Sequence, residues 1–245
     1  MKLRIINPDS GIDETGLAMR CERLRPFVRP DTQLSMVCPS KNDLCIDSAL
    51  DVALDAPEIV ELALAAQAEG MDAVCLYCFS DPGFDACREA LEIPVVGGAQ
   101  SSVLLACQIA NSYSVLVTSE RRASQKRVFL RGLGGDPAKL ASVRGVEIPP
   151  SSHPERGELV ETLAGAALQC VKQDGADAVI LGCLGFATLG AELTARVGVP
   201  VIDPAATMLT TAEALVTMGL CHSKASWPHP PKVERHWGAG RLEAF

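Results

Sequence analysis

The chain has 245 residues, enough for one large domain or for two lobes of about 100–120 residues each. Hydrophobic residues make up 48% of the chain and aromatic residues only 4%, which favours closely packed α/β layers over an aromatic recognition surface. The formal net charge of −8, without a basic stripe, argues against a nucleic-acid partner. No apolar run is long enough to cross a membrane and no secretory leader is evident. We therefore expect a cytoplasmic protein with reduced cysteines.

Strand-like and helix-like segments alternate along the whole chain. Apolar runs predict strands over residues 3–6, 33–38, 73–78, 95–96, 113–117, 143–148, 178–181 and 201–202. Helical spacing and end signals predict helices over residues 14–24, 57–69, 83–91, 100–110, 119–132, 158–174 and 206–218. Continuous apolar strands between helices indicate parallel sheets covered on both faces. The predicted fold class is therefore α/β.

One part of the sequence is repeated. The segment DAVCLYC at residues 72–78 is echoed by DAVILGC at 177–183, so that Cys78 and Cys183 hold matching places 105 residues apart. In each copy a helix-sized segment and a short proline-led strand follow. A duplicated strand–helix–strand unit indicates two pseudo-symmetric lobes, each a parallel sheet flanked by helices, with an active-site cleft between them.

The lobe boundaries that we predict are 1–98 plus 207–245 for the first lobe and 99–206 for the second. In parallel sheets a ligand sits beyond the carboxyl ends of the strands. Five polar or thiol side chains are predicted at such ends: Asn7, Cys38, Cys78, Thr118 and Cys183.

The two repeated cysteines fit a proton-transfer reaction. A thiol has a reference pKa of about 8.5, and the amides of a following turn can stabilise its thiolate. Two thiols facing one small molecule can remove a proton from one face and return a proton to the other. One enters as thiolate and the other as thiol, and the roles swap for the opposite enantiomer. We predict the ordinary role of small core residues for the cysteines Cys21, Cys45, Cys75, Cys87, Cys107, Cys170 and Cys221.

Other candidate sites are weaker. Cys75 and Cys78 form a CxxC, but residues three apart on a strand point to opposite faces, which argues against redox or zinc chemistry. The basic cluster at 121–127 is interpreted as a solvated helix face, with anion or partner binding as the alternative. Residues 222–245 are interpreted as an irregular tail that packs on a lobe or reaches a neighbouring subunit. Surface or packing roles are expected for His153, His222, His229 and His236.

Three motifs resemble a known family. CFSDPG at residues 78–83 resembles CFGDPG, LGCLGF at 181–186 resembles LGCAGM, and INPDS at 6–10 is similar to INPNS. These are motifs of the aspartate/glutamate/hydantoin racemase superfamily, and most closely of its hydantoin racemase branch. The similarity covers roughly residues 3–220.

The resemblance implies a two-base mechanism without cofactor or metal, in which Cys78 and Cys183 are the catalytic bases. It implies that the small-molecule substrate contacts Asn7, Phe79, Ser80, Thr118, Ser119, Leu184 and Gly185. Together with the tail, it favours a homo-oligomer.

The expected function is racemisation, at the carbon α to a carbonyl, of a 5-substituted hydantoin or a related cyclic ureide. An isomerase or decarboxylase of a small dicarboxylic acid such as maleate, or an amino-acid racemase, is the alternative on the same scaffold. A non-catalytic small-molecule binding protein is a further alternative, although such a protein has no need of paired thiols.

Overall fold

The computed structural model describes residues 1–148 and 154–234. In the first half of the chain the regular elements are β1 (Lys2–Ile6), α1 (Glu14–Arg23), β2 (Gln33–Val37), α2 (Ala49–Ala68), β3 (Ala73–Leu76), α3 (Phe84–Ala90) and β4 (Val95–Gly97). In the second half they are α4 (Gly98–Ile109), β5 (Tyr113–Val117), α5 (Ala123–Arg131), β6 (Leu140–Gly145), α6 (Arg156–Asp174), β7 (Ala178–Leu181), α7 (Gly190–Val197), β8 (Val201–Ile202) and α8 (Pro204–Met218). Short 3₁₀ helices occupy Arg25–Phe27, Glu120–Arg122, Pro137–Lys139 and Leu184–Phe186.

The strands form two parallel sheets of the same topology. The first sheet has the order β2-β1-β3-β4 and the second has the order β6-β5-β7-β8. Each element of one sheet therefore has a counterpart four strands later in the chain. The predicted α/β fold with two pseudo-symmetric parallel sheets is confirmed.

The inner strands are apolar along their whole length, as expected for sheets covered on both faces. Every residue of β3, β5 and β7 is buried. Helices α4 and α8 pack against each other, α4 also contacts β7, and α8 also contacts β3 and β4. Helix α4 thus follows a strand of the first sheet and contacts the second sheet, and α8 follows a strand of the second sheet and contacts the first. The lobe boundaries at 98/99 and 206/207 stay a prediction.

Helix α2 begins earlier than the predicted start at Pro57. The Ser48 hydroxyl accepts a hydrogen bond from the Asp51 amide at 3.1 Å, and the Asp51 carboxylate accepts one from the Ser48 hydroxyl at 2.7 Å. This reciprocal cap starts the helix, and Pro57 lies inside it on the exposed side. Proline was thus a misleading start signal, because the residue costs a helix one amide donor without always ending it.

The two repeated cysteines lie beyond their strands. Strand β3 ends at Leu76 and β7 ends at Leu181, so that Cys78 and Cys183 each come two residues after a strand end. The prediction that the strand reaches residue 78 is wrong by two residues. The matching places of the two cysteines are preserved in three dimensions.

Residues 222–229 of the irregular tail pack on the first half of the chain. The Lys224 ammonium donates to the carbonyls of Arg88 and Leu91 at 2.9 and 2.6 Å, which caps the end of α3. The His222 Nε2 accepts a hydrogen bond from the Val95 amide at 2.7 Å. A packing role for His222 is confirmed, whereas the predictions for His153, His236 and residues 235–245 lie outside the described residues.

Of the helices that the structure describes, none is long and apolar enough to span a bilayer.

Candidate functional site

A cleft of about 570 Å³ opens where the carboxyl ends of the two sheets face each other. Asn7 after β1 and Cys78 after β3 line it from the first sheet, and Thr118 after β5 and Cys183 after β7 line it from the second. Both cysteines are partly accessible rather than sealed in the core. Two thiols, one from each sheet, therefore share one solvent-reachable cavity.

The loop that carries Cys78 is anchored by a buried carboxylate. Asp81 has a φ of 43°, an uncommon left-handed conformation for a residue other than glycine. Its carboxylate accepts hydrogen bonds from the amides of Ala99 at 3.2 Å and Gln100 at 3.0 Å. These amides belong to the first turn of α4, whose N-cap residue Gly97 has no side chain to cap it. Asp81 therefore caps α4 from the cysteine loop.

The loop that carries Cys183 is anchored by a carboxylate that lies outside the loop. Asp203 follows β8 and caps α8, accepting from the Ala205 amide at 2.9 Å. The same carboxylate accepts from the Thr188 amide, in the loop after Cys183, at 2.6 Å. In both halves a carboxylate joins a cysteine loop to the following helix. In the first half it comes from the loop, and in the second half it comes from the strand end.

A single tyrosine connects the two cysteine loops. The Tyr77 hydroxyl, adjacent to Cys78, donates to the carbonyl of Leu184, adjacent to Cys183, at 2.8 Å. Tyr77 is buried and lines the cleft. The sequence carries no signal for this contact, because only the fold brings position 77 to position 184.

The resting thiols are kept protonated by their surroundings. Burial raises the pKa of Cys78 to about 12, while the Lys126 ammonium and the amide and hydroxyl of Ser80 favour its thiolate. Burial also raises the pKa of Cys183, against the amides of Gly185 and Phe186 and the charge of Lys126. Backbone amides from the loop after each cysteine thus point at its sulfur.

Two basic residues of the cluster at 121–127 are buried at the cleft. Arg122 and Lys126 are 8% and 5% exposed, and both line the cavity. The interpretation as a solvated face is wrong for these two residues, although Arg121 is exposed as predicted. A signal was present, since Arg122 and Lys126 are spaced i, i+4 with Leu130, on the buried face of the helix.

The Lys126 ammonium is held against the loop after Cys78. It donates to the Phe79 carbonyl at 2.6 Å and to the Ser80 hydroxyl at 2.7 Å. Burial lowers the pKa of Lys126 to about 8, the Cys78 sulfur raises it, and Arg122 lowers it further. A positive charge on Lys126 is therefore close to one thiol and within electrostatic range of both.

Most of the predicted substrate-binding residues meet at the cleft. Its lining includes Asn7, Phe79, Ser80, Thr118, Leu184 and Gly185. Ser119 is not among the lining residues, and its hydroxyl instead accepts from the Arg121 amide at 3.3 Å, as the cap of a 3₁₀ helix. The basic residues Arg20, Arg23 and Arg156 also line the cleft and were not predicted from the sequence.

The remaining cysteines mostly serve packing. Cys75, Cys87 and Cys170 are fully buried, whereas Cys45 and Cys221 are exposed, so the core interpretation is wrong for these last two. All ten cysteines are free thiols. Within the described part of the chain no group of three or more His, Cys, Asp or Glu side chains is arranged to hold a metal ion.

Comparison with known proteins identifies the family. The family model described as Asp/Glu/Hydantoin racemase matches residues 3–212, and the chain belongs to this family. A hydantoin racemase of Pseudomonas sp. (strain NS671) is 32% identical over 253 residues, which cover 100% of this chain and 97% of that protein. A hydantoin racemase of Paenarthrobacter aurescens is 30% identical over 238 residues, covering 96% and 100%.

A solved structure agrees with both the fold and the family. The allantoin racemase from Klebsiella pneumoniae matches with a TM-score of 0.86 and 28% identity, covering 96% of each chain. The resemblance inferred from the motifs is thus confirmed. The racemase relatives support an enzyme of the isomerase class.

Proposed function

We propose that the chain is a cofactor-independent racemase that inverts the carbon α to a carbonyl in a 5-substituted hydantoin or a related cyclic ureide. The observation that carries this proposal is the placement of Cys78 and Cys183 on opposite sheets of one cleft. The named hydantoin and allantoin racemases support the substrate class.

The first step of the proposed reaction is proton removal by a thiolate. Because the resting thiols have raised pKa values, a thiolate must be stabilised at the moment of reaction. The Ser80 amide and Lys126 supply this stabilisation for Cys78, and the amides of Gly185 and Phe186 supply it for Cys183. The proton passes from carbon to one sulfur, and the electron pair moves onto the adjacent carbonyl oxygen as an enolate.

The second step returns a proton from the opposite thiol. Since each cysteine has its own amide donors, either can serve as the base, and the two enantiomers use them in opposite order. The pair is expected to titrate as a coupled unit, with apparent pKa values that belong to both thiols.

The test follows each half of the reaction separately. Wild-type enzyme should abolish the optical rotation of single-enantiomer hydantoins or allantoin in heavy water while incorporating one deuterium. Cys78→Ser and Cys183→Ser should each lose about 10²–10⁴-fold in racemisation. Each should still exchange the α-hydrogen of one enantiomer, a different one in each variant, without inverting it.

Cys107→Ser is the matched control, because Cys107 is a half-buried thiol that does not line the cleft. It should racemise at the wild-type rate. A Cys78→Ser/Cys183→Ser double variant with wild-type activity would show that the thiols are not the bases.

A second candidate function is favoured by the basic side chains around the cleft. An isomerase of a small unsaturated dicarboxylic acid such as maleate would use a nucleophilic Cys78 and an acidic Cys183, whereas a decarboxylase on this scaffold needs only one cysteine, so the presence of two counts against it. Incubation with maleate followed by intact-protein mass spectrometry distinguishes the two. A covalent maleate adduct on Cys78 supports the isomerase. Exchange of the α-hydrogen of a hydantoin or of allantoin, with no maleate adduct on the protein, supports the racemase.

A further inference from the structure

The cleft is much more basic than the chain that forms it. Among the described residues, five basic side chains line it, namely Arg20, Arg23, Arg122, Lys126 and Arg156, against one carboxylate, that of Asp9. The chain as a whole carries a formal net charge of −8. The local excess of positive charge is therefore a property of the site.

Most of these basic groups already have partners. The Arg20 guanidinium donates to Asn7 at 2.9 Å, and Arg156 forms an ion pair with Glu192 at 2.9 Å. The Lys126 ammonium is bonded to the loop after Cys78. These groups hold the walls of the cleft together and have less capacity left for a ligand.

Arg122 differs from the others. Its side chain is 8% exposed, and its Nε is sealed from solvent without a hydrogen-bond partner among the described residues. None of the ion pairs within residues 1–148 and 154–234 includes it. A buried guanidinium is costly unless a carboxylate or another acceptor pairs with it. Arg122 thus lines the cleft without an ion-pair partner among the described residues, and Nε is the one atom of its guanidinium that is both sealed and unbonded.

The neighbourhood of Arg122 adds to this cost. Lys126 lies one helical turn further along the same buried face, and the two positive charges disfavour each other. Asp81, the carboxylate that acts on Lys126, is engaged by the amides of Ala99 and Gln100. An anion bound at Arg122 would relieve both the unpaired guanidinium and the repulsion.

We propose that Arg122 binds a carboxylate on the side chain of the substrate, so that the preferred substrate is an anionic, 5-carboxyalkyl cyclic ureide. This inference rests on the proposed function for the identity of the ring. A planar guanidinium matches a carboxylate through two parallel hydrogen bonds. The cavity of about 570 Å³ has room for a five-membered ring with a short acidic arm.

The test compares two substrates of nearly equal size, hydantoin-5-acetic acid and its neutral amide. Wild-type enzyme should exchange and racemise the acid with a kcat/KM about 10- to 100-fold above that for the amide. In Arg122→Gln this ratio should fall to about one, and Arg122→Lys should retain part of it.

Arg121→Gln is the control, because Arg121 is exposed, pairs with Asp47 and lies outside the cleft lining. Its acid-to-amide ratio should equal that of the wild type. A wild-type enzyme that turns over the amide as fast as the acid overturns the proposal, and this comparison requires no variant.

Binding measurements distinguish the anion site at Arg122 from the proposed racemase reaction. The affinities of wild-type protein for the acid and the amide are measured by calorimetry. If neither compound is racemised but the acid binds at least 10-fold more tightly than the amide, and Arg122→Gln removes the difference, the anion site stands and the racemase proposal falls. If the amide is racemised and the two affinities are equal, the racemase proposal stands and the anion site falls.

Discussion

Replacement of Lys126 by methionine should make the Cys78 thiol harder to ionise. The Lys126 ammonium contacts the Ser80 hydroxyl at 2.7 Å, and that hydroxyl is itself directed at the Cys78 sulfur. Methionine keeps most of the volume of the buried side chain and removes its charge. The change therefore tests the electrostatic contribution with little loss of packing.

The magnitude follows from this short chain of contacts. A charge one hydroxyl away from the sulfur lies at about 5 Å, which at an effective dielectric constant of about 20 corresponds to about 3 kcal/mol, or roughly 2 pKa units. The thiolate fraction at pH 7 should then fall about 100-fold. A more basic thiolate is also more nucleophilic, which offsets about half of this effect on a logarithmic scale. The net loss in alkylation rate should be about 10-fold.

The assay is alkylation by iodoacetamide at pH 7, with the modified Cys78 peptide quantified by mass spectrometry. Arg127→Met removes a neighbouring positive charge that does not line the cleft and serves as the control. Lys126→Arg should remain close to wild type. Equal alkylation rates in Lys126→Met and wild type would refute the assigned role, as would an equal loss in the control.

The charge of Lys126 should also affect how the rate of racemisation depends on pH. Because the pKa of Lys126 is lowered to about 8, its positive charge is present below that pH and is lost above it. Racemisation should rise with pH below about 8, as thiolate forms, and level off above it, because each further gain in thiolate is offset by loss of the Lys126 charge. In Lys126→Arg the rise should continue past pH 8, since arginine stays protonated. A plateau at the same pH in both proteins would assign it to another group.

Two further changes test the framework of the site. Burial, together with the charge of Glu58, raises the pKa of Asp55 to about 7. The folded protein therefore favours the protonated carboxyl, and the free energy of unfolding should fall as the pH rises from about 4 to about 7, by at most about 4 kcal/mol. Asp55→Asn should flatten this profile in urea titrations at several pH values, and an unchanged slope would contradict the assignment. A methyl group at Gly97 would overlap the Asp81 carboxylate, so Gly97→Ala should lower the free energy of unfolding by about 1–3 kcal/mol and reduce activity. The matched control is Gly165→Ala, where nothing meets the added methyl group, and the urea midpoint should stay equal or rise.

The sequence was sufficient to predict the cysteines and the sheets. Cys78 and Cys183 were found because a repeat places them at the same distance from two apolar strands, and strand ends in parallel sheets converge. Local pattern and topology are enough to predict both positions. The motif loops that follow each cysteine were placed at the cleft for the same reason.

The electrostatic part of the site was not predicted, for a physical reason. Arg122 and Lys126 belong to a run of charges that is usually solvated. Their spacing with Leu130 marks one face of the helix, but only the packing of α5 against the cleft decides that this face is buried. The contact of Tyr77 with Leu184 depends on how the two sheets face each other. Such long-range pairings are not encoded in periodicity. Helix α2 starts before Pro57 because the cap formed by Ser48 and Asp51 is the stronger start signal.

The anchoring of the two cysteine loops has a consequence for engineering. Asp81 ties one loop to α4 and Asp203 ties the other to α8, and these helices pack against each other between the sheets. The positions of the two cysteine loops are thus coupled to the packing of α4 against α8. To fit substrates of different bulk, we expect substitution of a lining residue outside this framework, such as Ile46, to disturb the two cysteines less.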